Sequence, residues 1–86
     1  MSDALTDIAR DKRITEWCER NLEPLFKKYF NNEITKEEII QTLDKMRTDE
    51  NTPNYRGYWS SSAREICGKL ITDVKKDELD WLRKRL

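Results

Sequence analysis

Residues 34–39, Ile34-Thr35-Lys36-Glu37-Glu38-Ile39, constrain this chain more than any other stretch. The Thr35 hydroxyl can accept the free amide three residues on, while the Glu38 carboxylate reaches back to the amide of Thr35. Ile34 and Ile39 flank that reciprocal pair as a hydrophobic staple, which sets the direction from which the chain approaches the helix. A helix is therefore expected over 35–48, with Ile39, Ile40, Leu43 and Met46 on its inner face.

Upstream, Ile14, Trp17, Cys18, Leu22, Leu25, Phe26 and Tyr29 recur at i, i+3 and i+4 and predict a helical region over 3–30. Pro24 interrupts it. Proline removes a backbone donor and crowds the preceding turn, so the region either kinks at Pro24 or breaks and restarts there. The stripe keeps its phase across Pro24, which favours a kink or a very tight break. Asn31-Asn32 closes the region, because asparagine tolerates the left-handed conformation that ends helices.

Downstream, residues 49–59 have loop composition, punctuated by Asn51-Thr52-Pro53-Asn54 and by Gly57. Ser62-Ala63-Arg64-Glu65 is a second capping box, and Ala63, Ile66, Cys67, Leu70, Ile71 and Val74 carry a helical stripe over 62–75. Gly68 inside that stripe costs about 1 kcal/mol relative to alanine. It is either a tolerated boundary residue or a point of close helix–helix approach. A last helix over 76–86 places Leu79, Leu82 and Leu86 on one face, with Trp81 beside it. Asp77 is its expected cap, unless it simply continues the preceding helix. The expected architecture is a single all-α domain, a bundle of about four helices with a helix-turn-helix-like core.

Composition bounds the rest. A chain of 86 residues makes one small domain with a thin stability margin. Charged residues make up 40% of it and mean hydropathy is −0.98. Yet the net charge is zero and the apolar residues fall in stripes, whereas disorder combines low hydrophobicity with high net charge. The balance conceals an asymmetry: residues 1–55 hold nine Lys/Arg against twelve Asp/Glu, and residues 56–86 hold eight against five.

No apolar run is long enough for a signal peptide or a membrane span. Cys18 and Cys67 sit in apolar stripes, so buried free thiols in a reducing cytoplasm are expected rather than a disulfide. Two cysteines without histidine make no closed zinc site of the usual type. The absence of histidine also excludes imidazole acid–base chemistry, and Gly57 and Gly68 form no phosphate loop. Glu37, Glu38, Asp77, Glu78 and Asp80 are expected in first helical turns, where carboxylates complement the helix dipole. No catalytic residue, cofactor or metal is expected.

The site candidates are therefore binding residues. Tyr55-Arg56-Gly57-Tyr58-Trp59 interleaves arginine with aromatics, a combination that stacks on bases, contacts phosphates or anchors protein interfaces. Trp59 is expected to dock into the core, which leaves Tyr55, Arg56 and Tyr58, together with Trp81, as candidate partner-binding residues. This points to a cytoplasmic regulator that binds another protein or itself, through an apolar patch around Tyr55–Trp59 or Trp81–Leu86. The alternative is a DNA-binding regulator with the helix after Ser62 in the major groove. Arg56, Arg64, Lys69, Arg83, Lys84 and Arg85 would then contact phosphates, although a zero net charge lacks the usual basic footprint.

The spacing of Phe26, Tyr29, Asn32, Thr35, Ile39 and Leu43-Asp44 resembles the helical segment that follows the catalytic domain in large serine recombinases. Thr52-Pro53, Arg56-Gly57, Trp59-Ser60 and Ile66 resemble that family's threonine–glycine–tryptophan–serine stretch before another helix. The family's turn glycine is Asn32 here, and its closing Asn-Pro-x-Tyr-x-Gly signature is absent. The resemblance implies a helix-turn-helix-like module without strand-exchange activity. Residues 25–46 are also similar to short bacterial interaction domains with a G-x-I-T-x-E-E-F turn, which implies a small bacterial or phage regulator.

Overall fold

The computed structural model describes residues 12–53, 62–84 and 86. Four helices occupy them: α1 (Lys12–Phe30), α2 (Lys36–Thr48), α3 (Ala63–Lys76) and the single turn α4 (Asp80–Arg83). No strand occurs among the described residues, and the fold is all-α.

In α1, Ile14, Cys18, Leu22 and Phe26 stand four residues apart and are all fully buried. Pro24 lies on the exposed side. The carbonyl that it deprives of a partner therefore faces solvent, where water can take it. With the stripe in phase throughout, α1 runs from Lys12 to Phe30 without stopping at Pro24. Residues 3–11 of the expected helical region lie outside the described residues.

Asn32 ends α1 with φ of 62°. Its amide donates to the Tyr29 carbonyl at 3.1 Å, and the Glu33 amide donates to the Lys28 carbonyl at 2.9 Å. This pair of bonds is a Schellman closure, which gives the last carbonyls of the helix their partners. Three residues on, the Thr35 hydroxyl accepts the Glu38 amide at 3.1 Å, while the Thr35 amide donates to Glu38 Oε1 at 3.1 Å. The capping box expected from the sequence is complete. Ile34 packs on the core and Ile39 is fully buried in it, as a staple requires.

Helices α2 and α3 pack most closely, and α1 lies against both. Their direction follows from two contacts. Arg64 at the start of α3 reaches the Asp49 carbonyl beyond the end of α2 at 3.0 Å. Gly68, one turn further along α3, lies beside Arg47, so the chains run antiparallel. The core fills from facing stripes: Ile39 and Leu43 of α2, and Ala63, Ile66, Cys67, Leu70 and Val74 of α3, all meet the α1 stripe. At the start of α3 the buried Ser62 hydroxyl accepts the Glu65 amide at 3.2 Å and donates to Glu65 Oε1 at 3.3 Å.

The C-terminal segment differs from the expected helix over 76–86. Asp77 is not its cap: it takes φ of 56° and closes α3. The Asp77 amide donates to the Val74 carbonyl at 3.2 Å and the Glu78 amide to the Asp73 carbonyl at 2.9 Å, a second Schellman closure. Asp77 and Glu78 thus lie at a helix end, and of the three expected acids only Asp80 occupies a first turn. The reason is phase. Leu79 stands five residues past Val74, which on a continuous helix would turn it about 140° away from the core face. Breaking at Asp77 instead delivers Leu79 and Leu82 to almost complete burial. Helical bonding then continues from Lys84 to Asp80 at 3.1 Å and from Leu86 to Leu82 at 3.2 Å.

Asp77 sits where glycine is least strained, and its carboxylate opposes the negative end of the α3 dipole. Replacing it by glycine is expected to raise unfolding stability by about 1 kcal/mol, read from urea midpoints. A fall in stability would mean that the carboxylate has a role beyond the turn.

Candidate functional site

Of the residues singled out in the sequence, Tyr55, Arg56, Gly57, Tyr58 and Arg85 lie outside the described residues, as does Trp59 with its expected docking into the core. The preceding turn is well tied. The Asn51 amide donates to Asp49 Oδ1 at 2.8 Å and the Thr52 amide to the Asp49 carbonyl at 3.1 Å. The Thr52 hydroxyl donates to the Met46 carbonyl at 2.6 Å, with Thr52 buried. Arg64 secures the same turn to α3 through Asp49, so its guanidinium is engaged in holding the fold.

Lys69 is also held. Its ammonium donates to Asp73 Oδ2 at 2.8 Å and lies 5.1 Å from the centre of the Trp81 ring. Trp81 is partly buried against the core under that cation, so this candidate interface residue is already packed on one side. Arg83 lies 4.9 Å over the Phe30 ring and 3.5 Å from Asp80. Lys84 is exposed. These cations do not share one face. Arg64 and Lys69 are five residues apart on α3 and project about 140° from each other, while Arg83 sits against the end of α1.

Sequence reasoning missed a groove between α2 and α3. It has a volume of about 490 Å³. Ile40 and Ile71 are its apolar lining, Gly68 borders it, and Asp44, Arg47 and Lys75 are its charged walls. Asp44 and Arg47 pair with each other along α2. A signal for this groove exists in the doublets Ile39-Ile40 and Leu70-Ile71. Neighbouring helical residues point about 100° apart, so the second of a doublet is buried only where another element covers it, as for Ile66-Cys67 but not here. Ile39 and Leu70 are fully buried, and their neighbours Ile40 and Ile71 are left at the edge.

Gly68 fits neither expectation. It is in the middle of α3, not at a boundary, and a Cβ there would meet only Arg47 Cδ at 4.0 Å. That is ordinary van der Waals contact with the stem of a flexible side chain, not a close approach of two backbones.

Cys18 and Cys67 are fully buried free thiols. Burial pushes the Cys18 pKa up to about 12, with Cys67, Glu23 and Glu19 adding to the rise. Burial likewise raises Cys67 to about 11, against a lowering by Arg47. Thiols held neutral in this way are weak nucleophiles at neutral pH. Among the described residues no group of three or more His, Cys, Asp or Glu gathers as a metal site would require. None of the described helices is long and apolar enough to cross a membrane. No family model matches the chain, and no curated protein or solved structure matches it.

Two measurements test this arrangement. Gly68→Ala is expected to stabilise the fold by about 1 kcal/mol in chemical denaturation, because α3 gains helix propensity and nothing blocks the methyl; destabilisation would show that the site has no room. The thiols bear on pH. Both titrate higher in the folded chain than the ordinary value of 9.0, so the stability they contribute is complete below pH 9.0. It is lost as pH rises through about 11 to about 12. Between about pH 8 and about pH 10.5 the chain should therefore lose more stability than its Cys18→Ala/Cys67→Ala variant. Equal losses would exclude the buried thiols as the cause.

Proposed function

We propose that this chain is a non-enzymatic protein-binding module, a small regulator that receives a helix or loop of another protein, or of a second copy, in the α2–α3 groove. One observation carries the reading: Ile40 and Ile71 flank an open groove that no described element fills. Partly exposed apolar side chains within charged walls suit an interface with an apolar centre and a polar rim. Recognition of an amphipathic helix by a groove between two helices is a recurrent mode of that kind. The lack of histidine and the neutral, buried thiols weigh against an enzymatic role.

The DNA-binding reading comes second. Arg64 already holds a carbonyl, and Lys69 a carboxylate and an aromatic ring, which leaves less positive charge on α3 free to replace phosphate counterions. Pull-down from lysate and light scattering, run on the wild type and on Ile71→Asp, test the proposal. The wild type is expected to retain a defined partner or to self-associate, and Ile71→Asp to weaken this by at least about tenfold while circular dichroism stays helical. A monomer that retains nothing overturns the protein-binding reading, and a salt-sensitive shift of duplex DNA in its place would establish the alternative.

A further inference from the structure

A second surface, which shares no residue with the α2–α3 groove, lies where the end of α1 meets α4. Lys27, Phe30 and Asn31 of the α1 end, with Arg83 and Leu86 beside them, line a cleft of about 280 Å³. Its floor is fixed. Phe30 stands 5.9 Å from Phe26 and 5.9 Å from Tyr29, ring centre to ring centre, and Phe26 is fully buried. Leu86 is partly buried on the core, its amide bonded to the Leu82 carbonyl.

The rim is cationic, and its charges come from positions more than fifty residues apart in the chain. Lys27 has no ion pair among the described residues. Arg83 has one with Asp80, at 3.5 Å between side chains that are 53% and 84% exposed. An ion pair so open to water is weak and readily exchanged for another carboxylate. Lys28 and Lys84, the next residue along in each segment, are exposed as well.

We infer that this cleft binds an acidic protein segment, in which one apolar side chain packs on Phe30 and Leu86 and flanking carboxylates meet Lys27 and Arg83. The cleft supplies both halves of that recognition: a pre-packed apolar floor, which limits the ordering cost of binding, and two exposed cations in its lining, Lys27 and a loosely paired Arg83. The same features disfavour nucleic acid. Arg83 covers a face of the Phe30 ring that a base would need for stacking, whereas an aliphatic side chain can pack on Leu86 and the ring edge. The inference goes beyond the groove reading and does not depend on it.

Fluorescence anisotropy on the full chain tests it, with a labelled peptide that carries a leucine between glutamates. A matching peptide with serine for leucine and a duplex DNA are the comparison probes. Saturable binding of the leucine peptide is expected, weakening as salt rises. Lys27→Glu, at an exposed position, and the serine peptide are each expected to bind about tenfold more weakly. The inference is overturned by no binding at low salt, by equal binding of both peptides, or by unchanged affinity in Lys27→Glu. Tighter binding of the DNA overturns it too and assigns the cleft to nucleic acid. Because Ile71 lies outside the cleft, partner capture that remains sensitive to Ile71→Asp would leave the groove reading standing even if the peptide fails.

Discussion

Two left-handed residues, Asn32 at φ 62° and Asp77 at φ 56°, hold the chain reversals on which the packing depends. A domain this small has little apolar area with which to force its helices into place, so their directions must come largely from their ends. At Asn32 the closure of α1 leads within three residues to the capping box of α2. The exit from one helix and the start of the next are thus fixed by adjacent hydrogen bonds, and Ile34 is pressed onto the core between them. At Asp77 the reversal is equally local. It frees Leu79 and Leu82 from the phase of α3 and sets them beside the α1 stripe, which brings α4 to the end of α1.

Both candidate surfaces follow from that geometry. Three stripes converge on one narrow core, and each contains a pair of apolar neighbours of which only one is covered. In Leu25-Phe26, Ile39-Ile40 and Leu70-Ile71 one member of each pair is fully buried and the other sits at the margin. Two of those marginal residues, Ile40 and Ile71, fall on the same side of the α2–α3 pair and form the groove. Gly68 keeps it open where a larger residue on α3 would fill it.

How much of this was legible depended on the range of the interactions. The caps at Thr35 and Ser62 could be read because donor and acceptor lie within four residues of each other, as could the stripes, which are periodic along one helix. Continuity through Pro24 could be read from the stripe as well: it keeps its phase, and Pro24, two residues from both Leu22 and Phe26, falls on the opposite side of the helix. Asp77 was misplaced because aspartate suits both a helix start and a left-handed closure. The phase slip between Val74 and Leu79 would have decided between them, since continuing the α3 stripe would have turned Asp77 and Glu78 toward the core. The groove and the cleft were least legible, because each joins residues from helices that only the fold brings together. Leu86 and Arg83 lie within the Trp81–Leu86 region expected to keep an apolar patch, but their partners Lys27 and Phe30 carried no sign of it.

Charge placement shows the same dependence on the fold. In the sequence the two halves differ in sign, which suggests a molecule with an acidic and a basic pole. The structure redistributes that difference: the basic residues at the end of α1 belong to the acidic half, yet they meet Arg83 of the basic half across the cleft. The ion pairs Asp44–Arg47, Lys69–Asp73 and Asp80–Arg83 each lie within one helical segment, three or four residues apart. Such pairs contribute a few tenths of a kcal/mol, about 0.2–0.5 each, to their own helices and nothing to how the helices cross. Tertiary order here rests on the buried stripes, the helix closures and the tie from Arg64 to Asp49. Of the two rim cations, Arg83 also stacks on Phe30 between α4 and α1, whereas exposed Lys27 makes no such tie and is free to be set by what the chain binds.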